Sequence, residues 1–294
     1  MKIRRSPAET GPMSMPIHRS VFAVAVLLFS SITSVSAIAK EHVLIIGGAG
    51  NTGSIISKML IARGDDVTAF VRSTTDRFRL EGVPVNYVVG DAMKADEVAA
   101  ALEGKSYTVI LDNVQLLEIN EQQSYTSMYA NFVPWAKRMG VKQFIVLGGA
   151  CSERPREDCP LSPPLYKVAA DQTIAEYILR GAGVPYTVFR IGALFPGGPD
   201  HPDAGFRTGT SFLSTNLSLF GAIWRGDFYD HIFGCIGTQR CINEIFTLDD
   251  PSMKPKLDNW LCKRRYETDT INFFDPRCGE EPPLVLPHAV TAPE

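Results

Sequence analysis

The sequence predicts an α/β protein built on a doubly wound parallel sheet, followed by an irregular proline-rich C-terminal extension. Three observations carry this. Short, almost wholly apolar runs alternate with helical patterns from Glu41 to Arg190. Strands of that kind are covered on both faces, as in parallel sheets wrapped by crossover helices. A glycine cluster also sits between the first run and the first helix, where such folds make their sharpest turn.

Each element follows from its local pattern. Glu41 to Ile46 is a β-branched strand that ends at glycines. Asn51 to Arg63 carries Ile55, Ile56, Met59, Leu60 and Ala62 at helical spacing, and Gly64 stops it. Asp66 to Arg72 and Val83 to Val89 are the next strands. Ala95 to Leu102 is a helix closed by Gly104, and Thr108 to Asp112 is the fourth strand. Ser124 to Met139 is a helix in which Pro134 predicts a kink. Lys142 to Leu147, the helix Leu165 to Arg180 and the strand Tyr186 to Arg190 complete the regular part. Pro196 to Gly209 is a Gly/Pro-rich loop. Ser211 to Ile223 reads as one more helix and Asn243 to Leu248 as one more strand. The expected organisation is therefore a leader over 1–39, a nucleotide-binding domain over 40–248 and an irregular extension over 249–294.

Composition narrows the function. The chain has 294 residues, 45% of them hydrophobic, which is enough to bury a large core. Its net charge of −3 argues against a phosphate-backbone binder, so no nucleic-acid partner is expected. The first forty residues differ in kind. A basic start is followed by an uncharged run, Val21 to Ala39, whose apolar half gives way to small residues. That pattern reads as a secretory signal peptide cleaved after Ala37 or Ala39, or as an uncleaved membrane anchor. The expected localisation is the secretory pathway or export, with an organelle address also open. In such a compartment the cysteines tend to pair, and Cys151/Cys159 and Cys235/Cys241 are the local candidates. No metal site is expected, since the histidines lack ligand spacing. Asn216-Leu217-Ser218 is a glycosylation sequon, meaningful in a eukaryotic secretory route.

The chemistry concentrates at Gly47-Gly48-Ala49-Gly50-Asn51-Thr52-Gly53. A turn this tight, a diphosphate against bare backbone and a helix close on its strand all require missing side chains. The helix start then offers N–H groups and a positive dipole end to phosphate. Arg72 stands at the end of the second strand, where NAD-binding chains place an acidic residue; its planar fork suits a 2′-phosphate. NADP(H) is therefore the expected cofactor, with NAD(H) second. Asp91 either accepts from the adenine amino group or caps the following helix. Asn113 lies just past the fourth strand on the same sheet edge, beside the cofactor.

These motifs, with GVKQFIVLGGA and AEYILRGAGVPYTVFR further on, resemble the atypical short-chain dehydrogenases/reductases, and more narrowly the NAD(P)H-binding, NmrA-like group. The resemblance runs from about Glu41 to Leu194. It implies a Rossmann fold holding NADP(H) on Gly47, Gly50, Gly53 and Arg72. Active relatives also use a Tyr-x-x-x-Lys pair and a serine after the fifth strand. Here Tyr166 and Lys167 are adjacent, so on a helix they diverge by about 100°. The family registers fall near Val168 and Gln172 instead. An extra helical turn, or a non-helical start after Pro163-Pro164, would still bring Tyr166 or Lys167 near the nicotinamide, and Ser152 after the fifth strand can bond a substrate carbonyl, so these three are the catalytic candidates. Two functions follow: an NADP-dependent oxidoreductase transferring hydride to a small carbonyl or enone compound, or a non-catalytic dinucleotide-binding redox sensor or assembly factor.

Overall fold

The computed structural model describes residues 40–195 and 207–258. The leader, Cys262, Cys278 and most of the Gly/Pro-rich loop lie outside the described residues. So does the extension from residue 259 on.

The glycine stops and apolar runs yield β1 (His42–Ile46), α1 (Asn51–Arg63), β2 (Asp66–Val71), β3 (Asn86–Val89), α2 (Ala95–Leu102) and β4 (Val109–Asp112). After these come α3 (Tyr125–Met139), β5 (Gln143–Gly149), α4 (Pro163–Gly181), β6 (Tyr186–Ile191) and β7 (Ala193–Phe195). The last are β8 (Phe212–Ser214), β9 (Ala222–Trp224), α5 (Arg225–Cys235) and β10 (Glu244–Asp249). Gly64 and Gly140 end α1 and α3 in the left-handed region, where a Cβ would be strained. The α3 helix runs on through Pro134.

The main sheet has eight strands in the order β3-β2-β1-β4-β5-β6-β10-β8. Every pairing is parallel except that of the edge strand β8 with β10. Order reverses at β1, with β2 on one side and β4 on the other, so a crevice opens at the carboxyl ends of these strands. Alternation along β1 assigns its residues to two cores. Leu44 and Ile46 pack with α2, α3 and α4, whereas Val43 and Ile45 pack with α1 and α5.

One expectation is corrected. Ser211 to Ile223 is not a helix: it holds β8 and the first residues of β9, and the helix begins only at Arg225. The cause is close backbone approach. A Cβ on Gly192 would fall onto Gly221 O, and one on Gly221 onto Leu248 O, so β7, β9 and β10 are drawn together where helical packing has no room. Residues 251–258 turn through a 3-10 helix into a helical turn, burying Met253 and Leu257 against Ala193 and Ala222. Both expected disulfides are present, Cys151–Cys159 and Cys235–Cys241.

Candidate functional site

The site is built at the β1 carboxyl end. Gly47 adopts φ +77° and donates its N–H to Phe70 O at 3.0 Å; its own carbonyl accepts from Gly50 N–H at 3.0 Å. The chain thereby reverses within four residues. Gly48 lies so near β2 that a Cβ there would be 2.7 Å from Ala69 Cβ. A Cβ on Gly53 would strike Gly47 O and come within 2.9 Å of Gly48 Cα. Gly50 precedes α1 with no capping side chain, and the first turn has no acidic residue. The N–H groups of Asn51, Thr52 and Gly53 therefore lack the partners a capped helix start would have. A cradle of bare backbone ending on an uncapped helix fits the diphosphate of a dinucleotide.

A cavity of about 940 Å³ opens onto this cradle. Gly47, Gly50, Arg72, Asp91 and Asn113 line it together. Gly48, Asn51, Thr52 and Gly53 are not in its wall; the two glycines shape the turn and the other two residues open α1. Arg72 is exposed at the rim, with Thr75 N–H bonded to its carbonyl at 3.0 Å. Asp91 Oδ1 accepts from Met93 N–H at 3.0 Å, so the turn before α2 uses one of its oxygens. Asn113 has a second task. Its N–H donates to Ile46 O at 3.0 Å and its Nδ2 to Gly47 O at 3.4 Å, which clamps β4 to the glycine turn.

Beneath that wall is a carboxylate that sequence reasoning missed. Asp112 is buried; Oδ1 accepts from Val114 N–H and Oδ2 from Tyr129 O–H, both at 2.9 Å. The Tyr125 hydroxyl then donates to Val114 O and accepts from Leu116 N–H, each at 3.0 Å. Together they set the course of the segment after β4, whose Val114, Leu116 and Leu117 line the cavity. The only sequence signal was an acidic residue at the end of an apolar strand.

Burial pushes the Asp112 carboxyl up from 3.8 to about 7, against the opposing hydrogen bonds from Val114 and Tyr129. The folded chain thus binds a proton that the unfolded chain has lost. Stability from this group is full below the unfolded value, falls as pH rises towards about 7, and is level above. Asp112→Asn should flatten that slope, read as the melting temperature across the same pH range. An unchanged slope would assign it to other groups.

The catalytic candidates are placed elsewhere. The α4 helix is regular from Pro163, so Tyr166 and Lys167 point apart. The Tyr166 hydroxyl donates to Arg154 O at 2.9 Å, and its ring packs by Cys151, Cys159 and Arg156. Lys167 is exposed. Ser152 is fully buried, its Oγ 3.5 Å from Gln172 Oε1, while that same oxygen accepts from Gly149 N–H at 2.9 Å. None of the three lines the cavity. Among the described residues there is no cluster of His, Cys, Asp and Glu suited to a metal, and no helix long and apolar enough to cross a membrane.

The family model described as NAD(P)H-binding matches residues 47–216. An uncharacterised chloroplastic protein of Arabidopsis thaliana is 27% identical over 178 residues, covering 52% of this chain and 53% of that one. The chain thus spans about half the length of that curated relative. Among solved structures, the anaerobillin reductase ChuY of Escherichia coli O157:H7 has a TM-score of 0.60 at 20% identity, over 72% of this chain and 98% of that chain. A wide-type short-chain dehydrogenase/reductase of Veillonella parvula, solved with NADP, gives 0.52 at 16% identity, over 72% and 95%. These structural likenesses show the fold.

Proposed function

This chain belongs to the NAD(P)H-binding family, and on that premise we propose that it is an NADP(H)-dependent oxidoreductase acting on a small carbonyl or enone compound. The observation that carries the reading is the glycine cradle ending on an uncapped helix and opening into one large cavity with Arg72 at its rim. The backbone N–H groups of α1 take the diphosphate. Arg72 takes the 2′-phosphate. Asn113 holds the turn in shape, and Val114 and Leu116 add apolar surface to the cavity. When bound, the nicotinamide supplies or accepts hydride, and the protein contributes position.

A specific observation favours a second reading, a dinucleotide-binding redox sensor or assembly factor. The positions that would carry the acid pair are Val168 and Gln172, the Tyr166 hydroxyl is taken by Arg154 O, and Ser152 is buried.

Two measurements separate them. Either nucleotide should raise the melting temperature if it binds the native state. NADPH oxidation against a panel of quinones and aldehydes then tests turnover: consumption supports the enzyme, and intact binding with no turnover leaves the sensor. If neither nucleotide stabilises the chain, both readings fall. Arg72→Ala should weaken NADPH by about 10- to 100-fold, the worth of a charge-assisted hydrogen bond of roughly 1.5–3 kcal/mol, and leave NADH nearly unchanged. Equal loss for both nucleotides, measured by calorimetric titration, would reject the 2′-phosphate role.

A further inference from the structure

We propose that Asn216 is an N-glycosylation site. Asn216-Leu217-Ser218 is the one N-x-S/T sequence in the 294 residues, so a glycosylating enzyme has a single position to modify. The fold presents it well. The sequon lies in the connection between β8 and β9, with Asn216 and Ser218 exposed. Asn216 Oδ1 accepts from Ser218 N–H at 3.1 Å and from the Ser218 hydroxyl at 2.7 Å. The hydroxyl that the motif requires therefore sits against its own asparagine. Nδ2, the atom that receives the sugar, takes part in none of the hydrogen bonds among the described residues.

The base of the loop is held while its tip is open. Asn216 N–H donates to Ser214 Oγ at 3.1 Å, Leu219 N–H to Asn216 O at 3.2 Å, and Arg154 donates twice to Leu217 O at 3.3 Å. Arg154 belongs to the segment closed by Cys151–Cys159. An oligosaccharide on Nδ2 would extend into solvent without unpacking that anchor. The two disulfides are of the kind formed in an oxidising lumen, the same compartment in which sequons are read. None of residues 214–219 lines the nucleotide cavity, so the modification leaves that site free.

Transfer forms a bond between Nδ2 and C1 of the first sugar. It breaks the C1–phosphate ester of a lipid-diphosphate-linked oligosaccharide, and the lipid diphosphate leaves together with the proton of the amide. The assignment rests on the leader reading of residues 1–39, and the experiment keeps the two apart. The full chain is translated in the presence of endoplasmic-reticulum microsomes. Protease protection reports entry, and an endoglycosidase-sensitive step in gel mobility reports the glycan. The expected result is a protected chain carrying one such step, lost in Asn216→Gln and in Ser218→Ala while protection persists. Asn216→Gln should bind NADP(H) as its parent does. A protected chain without the step overturns the site and leaves the leader standing. A chain that is neither protected nor shifted overturns both.

Discussion

Gly53→Ala is expected to abolish measurable NADP(H) binding while the chain stays folded. The new Cβ would meet Gly47 O and Gly48 Cα, and both are backbone atoms with no freedom to retreat. Gly47 is fixed from three sides, by Phe70 O, by Gly50 N–H and by the Asn113 amide. Relief must come from α1 moving off the turn, which opens the cradle and points its N–H groups away from the diphosphate. Overpacking of this kind costs about 1–3 kcal/mol of stability, and the lost phosphate contacts come on top in the binding. Gly64→Ala is the matched comparison. Nothing lies within 4 Å of a Cβ there, but φ is +100°. That change should cost about 1–2 kcal/mol of stability through backbone strain and leave nucleotide affinity intact. Calorimetric titration of both variants decides the matter; a Gly53→Ala chain that binds like its parent removes the cradle from the argument.

That prediction uses a feature legible in the sequence, and the reason is its locality. The turn from Gly47 to Gly53, the strand before it and the helix after it follow one another without interruption from His42 to Arg63, so pattern alone suffices. The same holds for Cys151–Cys159 and Cys235–Cys241, each separated by fewer than ten residues. What escaped depends on partners distant along the chain. Asp112 reads as the polar end of a strand until Tyr129, from α3, is seen to donate to it. The segment Ser211–Ile223 has apolar residues at helical spacing, and only the approach of Gly192 and Gly221 to their neighbours reveals why strands form instead. Tyr166 looked available because its hydroxyl's partner, Arg154 O, lies in a loop whose course nothing in the local pattern specifies.

The largest loss of stability is expected from Arg190→Ala. Arg190, on β6, is 1% exposed, and its Nη2 bonds Glu176 Oε2 at 2.8 Å and Glu153 Oε2 at 2.9 Å. Glu153 reaches on to Arg180 at 2.6 Å, from a backbone held at φ +60°. The group ties the segment after β5, the middle of α4 and the end of β6 into one unit. Burial pushes the Glu176 carboxyl up and Arg190 opposes that rise. Removing the guanidinium would leave a carboxylate with no water and no counter-charge. Breaking a buried pair from one side costs about 3–5 kcal/mol, which at about 2–4 °C per kcal/mol is a large drop in melting temperature for a domain of this size. The reason is desolvation of what remains rather than the intrinsic worth of the pair. It follows that Arg190→Met combined with Glu176→Leu should recover most of the loss, because the apolar pair leaves no buried charge, and Glu153 can still hold Arg180. Thermal and urea unfolding of the single and double variants at neutral pH test this directly. A single Arg190→Ala change costing less than about 1 kcal/mol, or a double variant no better than the single, would contradict a buried, charge-compensated junction at this place.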